Sequence, residues 1–410
     1  MEEYDIYTLD NGIRVIHKQV TYTKIAHCGF ILDIGSRDET FEQQGIAHFW
    51  EHMAFKGTKK RKSYHVINRL EVVGGELNAY TTKEKICFYA SILDNHYDKA
   101  LELLTDITFN SIFPEKEIEK ERSVILEEMS MYYDTPEDSI QDEFEQLVFE
   151  NHALGYNILG TADSVKSFSK QDFLNFISEN LDTEKIVFSS IGNIPFSKVK
   201  KLCDKYLKDI PRKRSVKKRA LFKGYKAKEV SKHRAISQAH CVIGRTTYGL
   251  LDKKRLPFFM LINLLGGPGM NSRLNMALRE RHGFVYNVEA QYTPFIDTGL
   301  LSIYFGTEPG QLNKSLQVAL KEIKKIKEVP LGSMQLHLCK EQLIGQLAMA
   351  EESNISFMQM MGKSLLDQGQ IDSLNDIFDR IKKITSKELQ EIANEVFQDK
   401  ELSFLTYIPE

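Results

Sequence analysis

The sequence passes through one order of predicted elements twice, and this repetition constrains the fold more than any other feature. The tripeptide Ala-His-Cys opens a predicted strand at Ala26 and again at Ala239. Further on, Gly74–Asn78 and Gly283–Asn287 lie at similar offsets, and each leads into a strand and then a long helix. A shared order of elements indicates an internal duplication. We therefore expect two homologous domains.

Runs of strands and helix pairs give the fold class. In the first half, strand patterns fall at 13–20, 26–35, 77–82, 85–93 and 185–194, and helical patterns at 43–56, 64–73, 96–109, 114–133, 139–150 and 196–207. This order predicts an α+β protein of two sandwich domains, each a mainly antiparallel sheet with helices packed on one face. We place the domains at 1–210 and 226–410, with a basic linker at 211–225.

The linker belongs to a basic, weakly patterned stretch, PRKRSVKKRALFKGYKAK, which begins at Pro211. Such a stretch can contact a polyanion or serve as a solvated connector between domains. Aromatic residues are sparse in it and no nucleic-acid-binding motif accompanies it, so the connector is the better interpretation.

Composition excludes several classes of protein. The formal charge of -3 argues against a nucleic-acid binder, and the sequence contains no apolar run long enough for a membrane span. The amino terminus, MEEYDIYTLDNG, is acidic and does not resemble a secretory signal. The five cysteines lack CxxC spacing, which argues against both a disulfide framework and a cysteine zinc site. We expect a cytoplasmic protein with no nucleic-acid or membrane partner.

One helical segment, His48-Phe49-Trp50-Glu51-His52, has the spacing of a metal site. Histidines four residues apart lie on the same face of a helix, so both imidazoles can bind one ion. Glu51 lies near that face and can take a proton from water that the metal activates. The pattern predicts zinc bound by His48 and His52, with Glu51 as the general base.

A catalytic zinc site needs a third protein ligand, and the helix EKEIEKERSVILEEMSMYY offers candidates. They are Glu117, Glu121, Glu127 and Glu128. Glu121 and Glu128 are seven residues apart and share a face, whereas Glu127 is expected to point toward solvent. The residues alone leave the choice among them open.

The segment His48–Thr58, HFWEHMAFKGT, resembles the signature of the inverted zinc peptidases, the family of pitrilysin, insulin-degrading enzyme and mitochondrial processing peptidase. The similarity extends over nearly the whole chain. In this family the third ligand is a glutamate in a helix resembling ERxxILxEM. The resemblance implies Glu128 as that ligand and Glu121 as a supporting residue close to the metal. Trp50 stands where relatives often have leucine, and we interpret it as a packing change.

The resemblance also implies residues that contact the substrate. Gly74–Thr81 looks like the family's edge strand, on which Asn78 and Ala79 hold an extended peptide. The segment from Leu278 to Tyr286 is similar to the family's arginine–tyrosine pair. That similarity assigns Arg279 and Tyr286 to stabilising the oxyanion. A preceding glycine-rich loop, Leu265–Gly269, lacks the Gly-Lys-Ser/Thr of a nucleotide-binding loop, which argues against ATP binding.

Together these features predict a zinc endopeptidase that binds one Zn²⁺ per chain and cleaves short or unfolded peptides in an enclosed chamber. The family builds its chamber from two halves, and this chain supplies one, so the resemblance implies a homodimer. A heterodimer with a degenerate paralogue is the other arrangement.

The competing function is that of a non-catalytic core or processing subunit that binds peptides or scaffolds a complex. Such relatives typically lose the metal motif, which this sequence keeps. The remaining histidines, among them His17 and His152, lack ligand spacing and are interpreted as surface or packing residues.

Overall fold

The chain forms two compact units in the computed structural model, which describes residues 4–215 and 217–410. Unit 1 comprises the described residues of Met1–Met129, Tyr156–Ala220 and Met349–Ser373, and unit 2 comprises Ser130–Gly155, Leu221–Ala348 and Leu374–Glu410. The units therefore differ from the contiguous ranges 1–210 and 226–410, because each includes one segment from the other half of the chain.

Each unit is built on one sheet. The strands are β1 (Asp5–Thr8), β2 (Arg14–Gln19), β3 (Ile25–Leu32), β4 (Glu76–Thr81), β5 (Ile86–Leu93), β6 (Ile186–Gly192), β7 (Glu229–Arg234), β8 (Ala239–Thr247), β9 (Val285–Pro294), β10 (Gly299–Thr307) and β11 (Ser403–Pro409). Their order is β1-β2-β6-β3-β5-β4 in unit 1 and β7-β11-β8-β10-β9 in unit 2. Only the β2–β6 and β7–β11 pairs of these sheets are parallel. The predicted α+β class with mainly antiparallel sheets is confirmed.

Most helices of the first half of the chain lie close to the predicted segments, and no bounds were predicted for those of the second half. They are α1 (Ile46–Ala54), α2 (Ser63–Glu71), α3 (Tyr97–Phe109), α4 (Glu115–Tyr133), α5 (Pro136–Val148), α6 (Ala162–Ser167), α7 (Lys170–Asn180), α8 (Phe196–Leu207), α9 (Arg255–Gly266), α10 (Leu312–Glu328), α11 (Ser333–Glu351), α12 (Asn354–Gln368), α13 (Leu374–Lys383) and α14 (Ser386–Val396), with a π-helix at Asn275–Arg281. The sequence analysis missed α6 and α7. None of the described helices has the length and apolar character to cross a bilayer.

The main core of unit 1 lies between its sheet and helices α1, α2 and α3. Residues two apart in a strand point to the same face, so Cys28, Phe30 and Leu32 of β3 all enter this core. Trp50 of α1 is fully buried there, as a packing residue. The buried side of α1 therefore holds the helix rigidly against the sheet and leaves its other side for the histidines.

The opposite face of this sheet is also covered, which the expectation of one-sided packing did not include. Helix α12 comes from the second half of the chain and packs Met358 and Met361 against Ile16 and Val187. A Cβ atom at Gly362 would lie 2.4 Å from Ile31 Cδ1 and 3.0 Å from Ser189 Cβ, so a larger residue here would require its neighbours to shift. Burial of a second apolar sheet face thus recruits a helix that is distant in sequence.

Unit 2 has the same arrangement, but the helix that covers its second sheet face comes from the first half of the chain. Helix α5, from the first half of the chain, places Ile140 and Phe144 in one cluster with Val242 of β8 and Leu405 of β11. A separate core on the same sheet contains buried residues of α9, α10 and α14. The two units therefore share one plan, as an internal duplication predicts, but helices cover both faces of each sheet and not the one face that was predicted.

The basic segment that begins at Pro211 is not a purely solvated connector, which corrects the prediction from composition. The Arg219 guanidinium bonds the carboxylates of Asp33 at 2.6 Å and Asp38 at 2.8 Å, and only 15% of its side chain is exposed. Burial alone would lower the pKa of Arg219, but these carboxylates raise it. The segment is therefore anchored to unit 1 by a buried cation.

Candidate metal centre and active site

A buried carboxyl group, that of Glu39, fixes the start of helix α1. Glu39 accepts hydrogen bonds from the main-chain N–H groups of Gly45 and Ala47, each at 2.9 Å. These are among the N–H groups that a helix start leaves without partners. Burial raises the pKa of Glu39 well above its usual range, and the two hydrogen bonds partly oppose that increase. Gly45 has φ of +92°, a left-handed conformation that glycine adopts without strain. The position of the helix that carries both histidines is therefore well defined.

Three candidate ligands converge beside this helix. Glu128 Oε2 lies 3.8 Å from His48 Nε2 and 3.7 Å from His52 Nε2, and ligand atoms of all three residues lie within 4.8 Å of one another. Ligands about 2 Å from a tetrahedral zinc ion are about 3.3 Å apart. The observed distances are too long for hydrogen bonds and close to those of atoms that share one cation.

The state of His48 also fits a metal site. Burial, with a smaller contribution from neighbouring His52, lowers the pKa of His48 to about 3. The imidazole is therefore neutral at physiological pH, which is the form that binds metals. A neutral ring does not form an ion pair with Glu128, and their proximity fits two ligands of one cation.

The ring of His52 is oriented by a carboxylate at its outer nitrogen, Nδ1. His52 Nδ1 lies 3.2 Å from Glu121 Oε2, and the other oxygen of Glu121 is 2.6 Å from Lys56 Nζ. Burial would raise the pKa of Glu121, but its contacts with His52 and Lys56 lower it, so the carboxylate stays ionised. Carboxylates that bind the outer nitrogen of a ligating histidine hold the ring for the metal. Lys56 is a supporting residue that the sequence analysis did not identify.

Glu51 is held by a residue that sequence reasoning also missed. Thr81 Oγ1, at the end of β4, donates a 2.5 Å hydrogen bond to Glu51 Oε2. Burial raises the pKa of Glu51, and this hydrogen bond partly opposes the increase. Thr81 lies within the segment that resembles the family's edge strand. Leu77, Ala79 and Thr81 are two residues apart in β4 and so point to the same face. This spacing could have placed Thr81 on the side that faces α1.

The strand itself has one open edge. Within the described sheet, β4 is the terminal strand and pairs only with β5. The Asn78 side chain is exposed, whereas Ala79 packs against the main core. Terminal strands present unpaired main-chain groups that can bind another extended segment. Asn78 and Ala79 thus lie on an edge strand whose last residue, Thr81, bonds Glu51.

In unit 2 the structure places Arg279 and Tyr286 next to each other. The Arg279 guanidinium lies 5.5 Å from the centre of the Tyr286 ring, and 84% of Tyr286 is exposed. Arg279 is on the π-helix and borders a cavity of about 330 Å³, which also contacts the glycine-rich loop Gly266–Gly269 and strand β9. π-Helical turns often occur at functional sites. The pair is therefore accessible to a ligand.

The remaining reactive side chains are structural. His17 is buried and bonded to Ser190 Oγ and the Ile194 carbonyl oxygen, and His152 Nδ1 accepts the Leu154 N–H. All five cysteines are buried and free. Burial raises the pKa of Cys87 to about 12, well above the range of reactive thiols. Among the described residues, His48, His52 and Glu128 form the one group with metal-ligand geometry.

A helix with two histidines and a neighbouring glutamate, completed by a glutamate of a second helix, defines a candidate metallopeptidase centre. Comparison with known proteins gives the family. Residues 14–162 match "Insulinase (Peptidase family M16)", and residues 167–343 match "Peptidase M16 inactive domain". The chain belongs to peptidase family M16.

Relatives from bacteria match along almost their whole length. The chain is 32% identical to the "Uncharacterized zinc protease YmxG" of Bacillus subtilis, covering 96% of this chain and 95% of that protein. It is also 32% identical to an "Uncharacterized zinc protease" of Rickettsia felis, covering 97% and 95%. These names describe the relatives as zinc proteases.

Two solved structures share the fold. A protein described as the peptidase M16 inactive domain from Pseudomonas fluorescens superposes with a TM-score of 0.92 and 16% identity, covering 99% of this chain and 98% of that one. A protease from Helicobacter pylori superposes with a TM-score of 0.89 and 20% identity, covering 100% of both chains. The two-unit architecture is therefore that of this family.

Proposed function

We propose that the protein is a zinc-dependent endopeptidase that hydrolyses short or unfolded peptides. The observation that carries the proposal is the convergence of His48, His52 and Glu128 beside the half-buried carboxylate of Glu51. The family and the names of the relatives support the same activity.

The residues around the site have separate roles in the proposed reaction. His48, His52 and Glu128 would hold the zinc ion, which would supply a Lewis acid for the scissile carbonyl and for the attacking water. Glu51 accepts a proton from the attacking water and transfers it to the leaving amine. Its raised pKa brings the carboxylate closer to the pH at which a general base works best. Because Thr81 occupies Oε2, Oε1 of Glu51 is the oxygen that takes the proton.

The free edge of β4 supports a mode of substrate binding that tolerates many sequences. An extended peptide adds to β4 as a further strand, with main-chain hydrogen bonds supplying affinity. Asn78 holds the scissile region through its side chain, and Ala79 through its main chain. Arg279 and Tyr286 stabilise the oxyanion that develops when water attacks.

The test of this function combines metal removal with one substitution. Purified protein is incubated with a mixed peptide library, with and without phenanthroline, and zinc is then restored. We expect cleavage to stop on chelation and return with zinc. Glu51→Gln protein should keep its metal and lose hydrolysis, because an amide of nearly the same shape cannot accept the proton.

Retained hydrolysis in metal-loaded Glu51→Gln protein would contradict the role of this residue. A wild-type protein that binds peptides without cleaving them, with zinc present, would instead support the non-catalytic subunit. The two functions therefore give opposite results in the same assay.

We also propose a homodimer in which each active site combines the metal centre of one protomer with Arg279 and Tyr286 of its partner. Mixing Glu51→Gln chains with Tyr286→Phe chains then gives mixed dimers with one intact site and one doubly defective site. Random reassociation makes about half the dimers mixed, so activity should recover to about a quarter of wild type. No recovery, with mixed dimers detected, would reject the shared site.

A further inference from the structure

A second cavity in unit 2 has a composition that the peptidase reaction does not account for. It is open to the surface, has a volume of about 390 Å³, and is bordered by Arg273, by Met276 and Arg281 of the π-helix, and by Glu322 and Lys325 of α10. The volume lies at the small end of the range for ligand pockets, roughly 300–1,000 Å³. The cavity can therefore hold a group about the size of one amino acid.

Two of the three cationic side chains at this cavity, those of Arg273 and Arg281, have no hydrogen-bond acceptor among the described residues. Lys325 lies 2.5 Å from Glu322, so its charge is paired. The side chains of Arg273 and Arg281 form no hydrogen bond or ion pair with any of the residues that the structure describes. Arg273 is half-buried, and burial lowers its pKa even though Glu322 is nearby. A desolvated guanidinium without an acceptor is unfavourable, and an anion in the cavity would remove this cost.

The rest of the lining defines what the anion is attached to. Met276, Val329 and Pro330 contribute apolar surface to the same cavity. We propose that the cavity binds a small carboxylate joined to an apolar group. The planar guanidinium of Arg273 donates two parallel hydrogen bonds to the carboxylate, Arg281 adds a second positive charge, and the apolar group packs against Met276 and Val329.

This site is separate from the predicted substrate contacts. Asn275 and Arg279 of the π-helix border the other cavity of unit 2, whereas Met276, Ala277 and Arg281 border this one. The proposal therefore goes beyond the peptidase activity and does not depend on it.

The experiment measures the binding of N-acetyl-leucine to the full-length protein by isothermal titration calorimetry. N-acetyl-leucinamide, which lacks the carboxylate, and inorganic phosphate, which lacks the apolar group, are the two comparison ligands. We expect saturable binding of N-acetyl-leucine below about 10 mM and at least about tenfold weaker binding of each comparison ligand. Equal binding of the amide, or tighter binding of phosphate, would overturn the proposed ligand class.

Variants then locate the ligand. Arg273→Gln should weaken N-acetyl-leucine binding at least about tenfold, and it should fold normally because it removes an unpaired charge. Lys321→Gln removes one charge from an exposed position of α10 that does not border the cavity, and it should bind as the wild type does. Arg279→Gln should also keep full binding.

Unchanged affinity in a folded Arg273→Gln protein would overturn the proposal, as would an absence of wild-type binding. Loss of binding in Arg279→Gln alone would place the ligand in the other cavity and would overturn it as well. None of these outcomes depends on hydrolysis, so a failure here is distinct from a failure of the proposed peptidase function.

Discussion

Replacing Thr81 by valine tests whether the orientation of Glu51 matters for catalysis. Valine has nearly the same shape as threonine and favours strands, so β4 should be kept. The substitution removes the 2.5 Å hydrogen bond to Glu51 Oε2. Hydrogen bonds to charged groups contribute about 1.5–3 kcal/mol, and both partners here are partly buried. If this stabilisation is lost in the transition state, kcat falls roughly 10–100-fold.

The pH dependence provides a second measure of the same change. The Thr81 hydroxyl stabilises the ionised form of Glu51 and so lowers its pKa. Removing the hydroxyl raises that pKa further, so the acid side of the pH–rate profile should move to higher pH. Thr81→Ser keeps a hydroxyl and should retain most of the activity.

The assay compares steady-state kinetics of wild type, Thr81→Val and Thr81→Ser at equal zinc content. We expect kcat to fall in the valine variant while KM changes little, because the hydroxyl bonds Glu51 rather than a substrate. Wild-type kcat in Thr81→Val would refute the reasoning. Equal losses in the serine and valine variants would show that packing, and not the hydrogen bond, is responsible.

Four further predictions follow from single features of the structure. Glu128→Gln should lower zinc affinity by more than about tenfold while exposed Glu127→Gln does not, as metal titration would show, and the reverse result would move the ligand by one position. Arg219→Met should lower the free energy of unfolding by about 3 kcal/mol in urea titrations, since it removes the cation that pairs with the partly buried carboxylates of Asp33 and Asp38, and a loss below about 1 kcal/mol would contradict this. Burial lowers the pKa of His17, so the unfolded state binds its proton first and stability should decrease as the pH falls below about 6.5. His17→Gln should flatten that slope, and an unchanged slope would exclude His17 as the cause. Thiol reagents should leave the native enzyme active, because every cysteine is buried, and rapid inactivation would argue otherwise.

Much of the metal centre could be predicted from sequence because its spacing is local. His48, Glu51 and His52 come together on one turn of one helix, and any helix with this pattern brings them together. The spacing of Glu121 and Glu128 follows from two turns of another helix. The resemblance to a family was needed to choose Glu128, because helical periodicity alone leaves more than one glutamate available.

The partners of these residues could not be predicted in the same way. Thr81 reaches Glu51 only because β4 pairs with β5 and lies against α1, and Lys56 reaches Glu121 only when α1 and α4 are packed. Both contacts join elements that are distant in sequence. The hydrophobic period of one element does not indicate which residue of a distant element it will contact.

The sequence by itself determined most local elements of the first half, the repeated order of strands and helices, and the placing of His48, Glu51 and His52 on one helix face, because hydrophobic period and residue spacing act over a few turns. Only the tertiary structure decided that α5 and α12 exchange between the two halves and that Arg219 is buried as an anchor. The physical reason is that an apolar sheet face can be covered by any amphipathic helix of suitable shape. Packing over the whole chain selects the helix that covers this face, and no local sequence pattern shows which helix that will be.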